Sequence, residues 1–445
     1  MTAAPVAPIA AHDLLVFLLQ VGLLLLLATC LGRLAIRLRL PAVVGELSVG
    51  VLLGPTLLAH VAPAVSGWLF PPRAEPVHLL DAVGQVGVLL LVGLTGIHLD
   101  LGLVRRRGAT AAGVSLGGLL VPLGLGIATG FLLPRELLPA SARPVVFALF
   151  LGVAMCVSAI PVIAKTLMDL KLLHRNVGQL TLIAGMLDDV AGWVLLSIVS
   201  AMAAGAITAG TVVTSIARLA AVVVLALTLG RIVVRRALAS AAKSAESGPT
   251  VVTVVVLILL AAAGTHALGL EPVFGAFLGG ILVGTAGKPD PVKLAPFRTV
   301  VVSVLAPLFF ATAGLRMDLT VLARPAVLLT GVAVLAVAIL GKFAGAYGGA
   351  RLTGLGRWEA LALGAGLNAR GVIEVVVAMV GLRLGILSVE VYTIVVLVAI
   401  VTSVLAPPVL RIAMARVEQT SDEGIRALEH EAWGPRAHAG AGPAG

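Results

Sequence analysis

Charge is what this 445-residue chain has least of: Asp, Glu, Lys and Arg together make up 12% of it. A soluble domain of that length needs a far more charged surface to stay dispersed, so a soluble globular fold is excluded. Aromatics are scarce too, at 4%, and the 60% hydrophobic content is dominated by Leu, Val, Ala and Ile, with Gly at 51 positions beside them. That is the composition of closely packed membrane helices. Cysteine occurs twice, at Cys30 and Cys156, both inside apolar runs; a disulfide framework or a cysteine metal site is excluded. No Lys or Arg precedes Arg33, so the first apolar run lacks the basic flank of a cleaved signal peptide. The formal net charge of +10 does not point to nucleic acid, because the basic residues fall in short clusters between apolar runs.

What is there is a series of runs near the ~20 residues needed to cross a bilayer. They lie at 13–32, 41–59, 80–99, 108–133, 144–168, 176–203, 209–233, 250–268, 272–286, 297–317, 326–350, 359–382 and 389–411. The fold class expected is an all-α membrane protein of about 13 transmembrane helices. With the N-terminus outside and the C-terminus in the cytoplasm, the inner connections carry 22 Lys and Arg residues and the outer ones 6. That asymmetry is the positive-inside rule for a multi-pass cell-membrane protein, and losing one span in mid-chain would scramble it. Residues 1–12 read as a short leading segment, 13–416 as the transmembrane domain and 417–445, rich in Gly, Ala and Pro at its end, as a disordered cytoplasmic tail.

The two halves resemble each other. Gly45, Gly50 and Gly54 recur 230 residues later as Gly275, Gly280 and Gly284, and Gly96-Ile-His-Leu-Asp100 is matched by Gly314-Leu-Arg-Met-Asp318. The paired segments are seven spans apart, an odd number, so one half must be inserted upside down relative to the other. Inverted repeats of this kind belong to secondary transporters, which rock between two states around a central site.

Few charges fall inside the runs, and they are the candidates for chemistry. Asp188 and Asp189 sit mid-span in the sixth run, where one Asp costs about 2.5–3.5 kcal/mol to insert. Adjacent helical residues project about 100° apart, so one carboxylate faces a hydrated cavity while its neighbour faces another helix and a partner. Lys342, deep in the eleventh run, is the partner candidate, since a buried ammonium needs a counter-charge. Two runs carry helix breakers: Ser158-Ala-Ile-Pro161 in the fifth and Asn368-Ala-Arg370-Gly371 in the twelfth. These are again seven spans apart, and paired discontinuous helices present half-helix ends and free carbonyls to ions at the midplane. Arg370 and Glu374 are four apart on one face and read as a structural ion pair. Glu46, near the start of the second run, reads as an interfacial acid or a proton relay.

At these residues the chain resembles the monovalent cation:proton antiporter-2 family, within the sodium/proton exchanger fold. The matching stretches are Pro41 to Pro55, Phe150 to Pro161 running on through Leu170-Lys-Leu-Leu, Asp188-Asp189-Val, Pro307-Leu-Phe-Phe with Gly314, Gly341-Lys342 and Leu367-Asn368-Ala-Arg-Gly371 with Glu374. The resemblance implies thirteen helices with two crossed discontinuous ones, a core domain at about 108–203 and 326–411, a dimerisation scaffold in the remainder, and a homodimer. It implies that Asp189 carries the cation or the proton, that Asp188 pairs with Lys342 until a cation binds, and that Ser158 supplies an oxygen ligand at the break. The transported Na+ or K+ would be the metal at Asp188 and Asp189; the aspartate pair favours sodium, while the segments around Ser158 and Asn368 look more like potassium-linked members. No cofactor, nucleic acid or nucleotide-binding regulatory domain is expected, and no enzymatic activity. The alternatives are a symporter or organic-solute carrier of related fold and, remotely, an intramembrane aspartyl protease, for which the second aspartate motif on another helix is missing.

Overall fold

The computed structural model describes residues 9–38, 40–71, 74–97, 101–172, 174–204, 209–287, 289–421 and 423. Among them there is no strand. The elements in chain order are α1 (Ala11–Arg37), α2 (Ala42–Leu53), the short α3 (Leu58–Val61) and α4 (Pro63–Leu69), α5 (Ala74–Ile97), α6 (Leu101–Leu132), α7 (Pro144–Cys156), α8 (Ile160–Asp169) and α9 (Asn176–Ala204). They continue with α10 (Ala209–Leu225), α11 (Arg231–Ala241), α12 (Gly248–Ala267), α13 (Pro272–Leu282), α14 (Pro291–Val300), α15 (Ala306–Gly314), α16 (Pro325–Leu352), α17 (Arg357–Leu367), α18 (Val372–Arg383) and α19 (Val389–Met414). Single π turns at Ala226–Gly230 and Val301–Leu305 join α10 to α11 and α14 to α15, so each pair makes one span. Each of the thirteen expected runs coincides with one such span. Two of them, the fifth and the twelfth, are split: α7 with α8, and α17 with α18.

The helices sort into two bundles. A site bundle contains α6 to α9 and α16 to α19, which pack mainly on one another, and a flanking bundle contains α1, α2, α5 and α10 to α15. Between them, α9 touches α10 and α13, and α15 touches α18. Among the described residues ten helical stretches are long and apolar enough to cross a membrane, with Pro144–Cys156 and Pro272–Gly287 as shorter apolar ones. The rim nearer the start of α1 and the rim nearer the end of α19 are called here the N-terminal and C-terminal rims.

Glycine fixes how closely these helices approach, and the contacts obey the repeat. A Cβ on Gly50 of α2 would stand 2.1 Å from the Ala311 carbonyl and 2.4 Å from the Gly314 carbonyl carbon on α15. The repeat-related pair behaves alike: a Cβ on Gly96 of α5 would meet the Phe277 carbonyl at 2.4 Å and Gly280 of α13 at 3.2 Å. In the site bundle Gly117 of α6 and Gly345 of α16 meet at similarly short range, and Gly113 meets Gly349, so these two spans cross antiparallel. Opposite chain direction at repeat-equivalent spans is what inverted halves require. The motif residues His98 to Asp100 lie outside the described residues.

The expected disordered tail is corrected over its first residues, while 422 and 424–445 lie outside the described residues. Arg175 donates to the carbonyls of Val417 and Glu418 at 2.9 and 3.1 Å. Buried Glu423 accepts from the backbone N–H of Asn176 at 2.5 Å and faces Arg175 Nε at 3.2 Å. Arg416 stacks over the Trp358 ring at 4.3 Å. The backbone N–H that α9 leaves over at its start and the half-buried Arg175 guanidinium hold this stretch.

Candidate cation and proton site

The fifth span breaks because three residues, 157–159, leave the helix after Cys156, the first of them, Val157, with an extended backbone. The twelfth breaks over 368–371, between Leu367 and Val372. The two unwound segments touch: the Ala159 N–H donates to the Ala369 carbonyl at 3.2 Å. Gly371 completes the approach, because a Cβ there would stand 2.7 Å from Val162 Cγ2 of α8. Pro161 is the second residue of α8, where a missing N–H costs nothing in the first turn; its side chain lies outside the described residues.

Unwinding leaves helix-end carbonyls without partners in a medium that offers no water. Arg370 and Lys342 supply them. Arg370, wholly buried, donates to the Met155 carbonyl at 2.6 Å, to Ala154 at 3.3 Å and to Ala338 at 3.0 Å, and pairs with Glu374 at 3.1 Å. Lys342 donates to the Cys156 carbonyl at 2.6 Å. Two cations thus stand at the negative end of α7, where a helix dipole favours positive charge. On the other segment the Asn368 amide donates to the Ile339 carbonyl at 3.2 Å, and the Ser403 hydroxyl donates to the Arg370 carbonyl.

α9 lays one face over this crossing. A Cβ on Gly185 would meet Ile163 and Ile160 of α8, and one on Gly192 would meet Val157 in the break. Residues 188 and 189 lie between them, one helical turn from each. Asp188 is fully engaged. Lys342 Nζ stands 2.5 Å from Oδ2, the Ser158 hydroxyl 2.9 Å from the same oxygen, and the Ser115 hydroxyl donates to Oδ1 at 2.6 Å. Ser158 also reaches the Leu367 carbonyl at 3.0 Å. Asp189 is as deeply buried, yet neither of its oxygens has a hydrogen-bond partner among the described residues.

The structure therefore brings together Asp188, Asp189, Ser158, Lys342, Asn368, Gly371, Arg370 and Glu374. Asp188 stands paired with Lys342, and Ser158, expected as an oxygen ligand at the break, is bonded to Asp188 and the Leu367 carbonyl. Glu46 is not part of the cluster: it lies on α2 beside Gly32 of α1, where its Cγ would be 3.6 Å from a Cβ. Sequence reasoning missed Ser115, whose only signal was a hydroxyl in mid-span between Gly113 and Gly117. It also missed the carbonyls of Ala154 to Cys156, which carry no signal at all. Among the described residues no cluster of three His, Cys, Asp or Glu side chains forms a resident metal site.

Inverted halves, two broken helices crossing in mid-bundle and a lone open carboxylate beside them define a secondary transporter. The family model for the transmembrane sodium/hydrogen exchanger matches residues 22–416. The chain belongs to the sodium/hydrogen exchanger family, a family of antiporters rather than enzymes. It is 31% identical over 401 residues to the Na(+)/H(+) antiporter NhaS4 of Synechocystis, covering 90% of this chain and 97% of that one. It is 29% identical over 417 residues to K(+)/H(+) antiporter 1 of Saccharomyces cerevisiae, covering 90% of this chain but 47% of that longer protein. The sodium proton antiporter MjNhaP1 of Methanocaldococcus jannaschii shares the fold, with a TM-score of 0.65 at 16% identity over 94% of this chain and 99% of that one.

Proposed function

We propose that this chain exchanges a monovalent cation for protons by alternating access, with Asp189 as the group that holds either ion and sodium ahead of potassium as the cation. The open, buried carboxylate of Asp189 carries this reading. A bare charge at the bilayer centre costs about 2.5–3.5 kcal/mol or more. A proton or a bound cation removes that cost, and the two compete for the same oxygens. A carboxylate that crosses cheaply only when loaded couples the two flows. Asp188 stays with Lys342, Ser115 and Ser158 as a fixed neighbour whose charge is balanced, and it reaches a cation only if Lys342 withdraws. Ser158 is then freed to ligate as well. The preference for sodium rests on the aspartate pair and on the Na(+)/H(+) name of the cyanobacterial relative; the yeast relative's name supports potassium as the second choice.

The same proposal places the N-terminal rim outside and the C-terminal rim in the cytoplasm of the cell membrane, on the distribution of Lys and Arg. The site bundle moves against the flanking bundle, which serves as scaffold and dimer contact in a homodimer. The test is a proteoliposome assay in which added Na+ or K+ dissipates an imposed proton gradient. Wild type responds to one or both, and Asp189→Asn responds to neither. Wild-type flux in that variant refutes the assignment.

A further inference from the structure

We infer that the flanking bundle holds a second ligand site, a cavity at the N-terminal rim that takes an α-amino acid with an apolar side chain. The site lies apart from Asp189 and goes beyond the exchange proposed for that residue. The local course of the chain opens it. α2 stops at Gly54-Pro55, since proline has no N–H with which to continue a helix, and the short α4 then comes to rest on α1. Beneath α4, between α1, α2, α5 and α15, a cavity of about 330 Å³ remains, in the size range of small-molecule sites.

The polar groups that line it make opposite demands. Gln20 of α1 is 2% exposed and donates through Nε2 to the Leu69 carbonyl at 2.6 Å, which sets the orientation of its amide. Its Oε1 is left without a donor among the described residues. Buried amide oxygens are ordinarily bonded, so this one is suited to an N–H or O–H brought by a ligand. In the same cavity Arg316 engages Asp81 through Nη2 alone, at 2.5 and 2.6 Å from the two oxygens. Among the described residues Nε and Nη1 of Arg316 make no hydrogen bond, and they can take a carboxylate. The Asp81 carboxylate keeps lone pairs for an ammonium. Asp81 and Arg316 are 37% and 36% exposed, so the cavity opens to water at this pair. An ion pair so exposed adds little to folding. The other walls are apolar, with Leu53, Phe70, Leu80 and Leu315 among them. A simple cation would be repelled by Arg316 and a simple anion by Asp81. A zwitterion with an aliphatic or aromatic side chain answers every group.

Thermal unfolding of the purified chain in detergent, with L-leucine as the probe, tests the site without relying on transport. Leucine is expected to raise the melting temperature in a saturable way. Isocaproate, which lacks the ammonium, and isoamylamine, which lacks the carboxylate, do not. Gln20→Met raises the half-saturating leucine concentration about tenfold or more, as for the loss of one hydrogen bond to a charged group. Ala59→Trp fills the cavity from a half-buried position on α3; it abolishes the response while the ligand-free melting temperature stays near that of wild type. Asp189→Asn keeps the response. No shift with leucine in the wild type, an equal shift with either analogue, an undiminished response in Gln20→Met or Ala59→Trp, or its loss in Asp189→Asn overturns the inference.

Discussion

The two bundles handle the membrane in opposite ways. In the flanking bundle the helices meet through glycine at backbone contact, as Gly50 does with Gly314 and Gly96 with Gly280. Its charged pair, Asp81 with Arg316 at 2.5 Å, stands at the rim, more than a third exposed. The site bundle also uses glycine, between α6 and α16, but it buries five charges: Asp188, Asp189, Lys342, Arg370 and Glu374. Four of these are paired among themselves and to freed carbonyls; the fifth is Asp189. The difference teaches where each bundle's stability comes from. One rests on close dispersion contacts and intact helices. The other rests on charge-assisted hydrogen bonds that replace the helix bonds lost at the crossing, and the imbalance left over is the working group.

That contrast is sharpened first at Arg370. Arg370→Leu strips the end of α7 and leaves Glu374 buried and alone, a loss of about 3–5 kcal/mol for a broken buried pair. The expected outcome is little protein recoverable as a monodisperse detergent complex. Recovery at the wild-type level would show that the crossing does not depend on this cation. Lys342→Ala comes next, with about 1.5–3 kcal/mol lost, less than at Arg370 because Ser115 and Ser158 still hold Asp188. The melting temperature falls and the pH profile of exchange shifts; both staying at wild type would count against the pair.

In the flanking bundle Gly280→Ala places a methyl 2.0 Å from the Gly93 carbonyl oxygen. Overpacking of that kind costs about 1–3 kcal/mol, and the melting temperature drops while the pH profile of exchange does not move. A shifted profile would erase the distinction between the two bundles.

The smallest effect is at the residues that follow α19. Burial alone would raise the Glu423 carboxyl, but the N–H donors of Asn176 and Thr420 and the Arg175 guanidinium outweigh it and hold it below its ordinary value. Its contribution is therefore present above about pH 4, the usual range of an unfolded Glu, and is lost as pH falls through the lower folded value. The melting-temperature gap between wild type and Glu423→Gln should stay constant from neutral to mildly acid pH and close only below that. A gap that widens on acidification would contradict the contact.

Much of this molecule was legible in the chain because the bilayer constrains it so strongly. Span number followed from run length, and the inverted halves from an odd offset between repeated glycines. Asp188, Asp189, Lys342, Arg370 and Glu374 stood out because charge in an apolar run is expensive and has to be explained. The break at Asn368 and Gly371 and the one at Ser158 were visible as helix breakers at repeat-equivalent positions. Less legible was the division of labour within the cluster. Adjacent aspartates look alike in sequence; which of them is engaged depends on where α6 and α16 deliver Ser115 and Lys342. Backbone carbonyls have no letter of their own, so the capping of α7 by Arg370 and Lys342 left no trace to read.

The sequence by itself determined that this chain is an all-helical membrane protein of apolar runs in two opposed halves and carries acids it cannot leave unaccounted for, because hydrophobic run length and the cost of intramembrane charge act locally along the chain. Only the tertiary structure decided that Asp188 is satisfied and Asp189 is not. Satisfaction of a buried charge depends on donors brought from spans 73 and 154 residues away, and no local rule specifies which oxygen they reach.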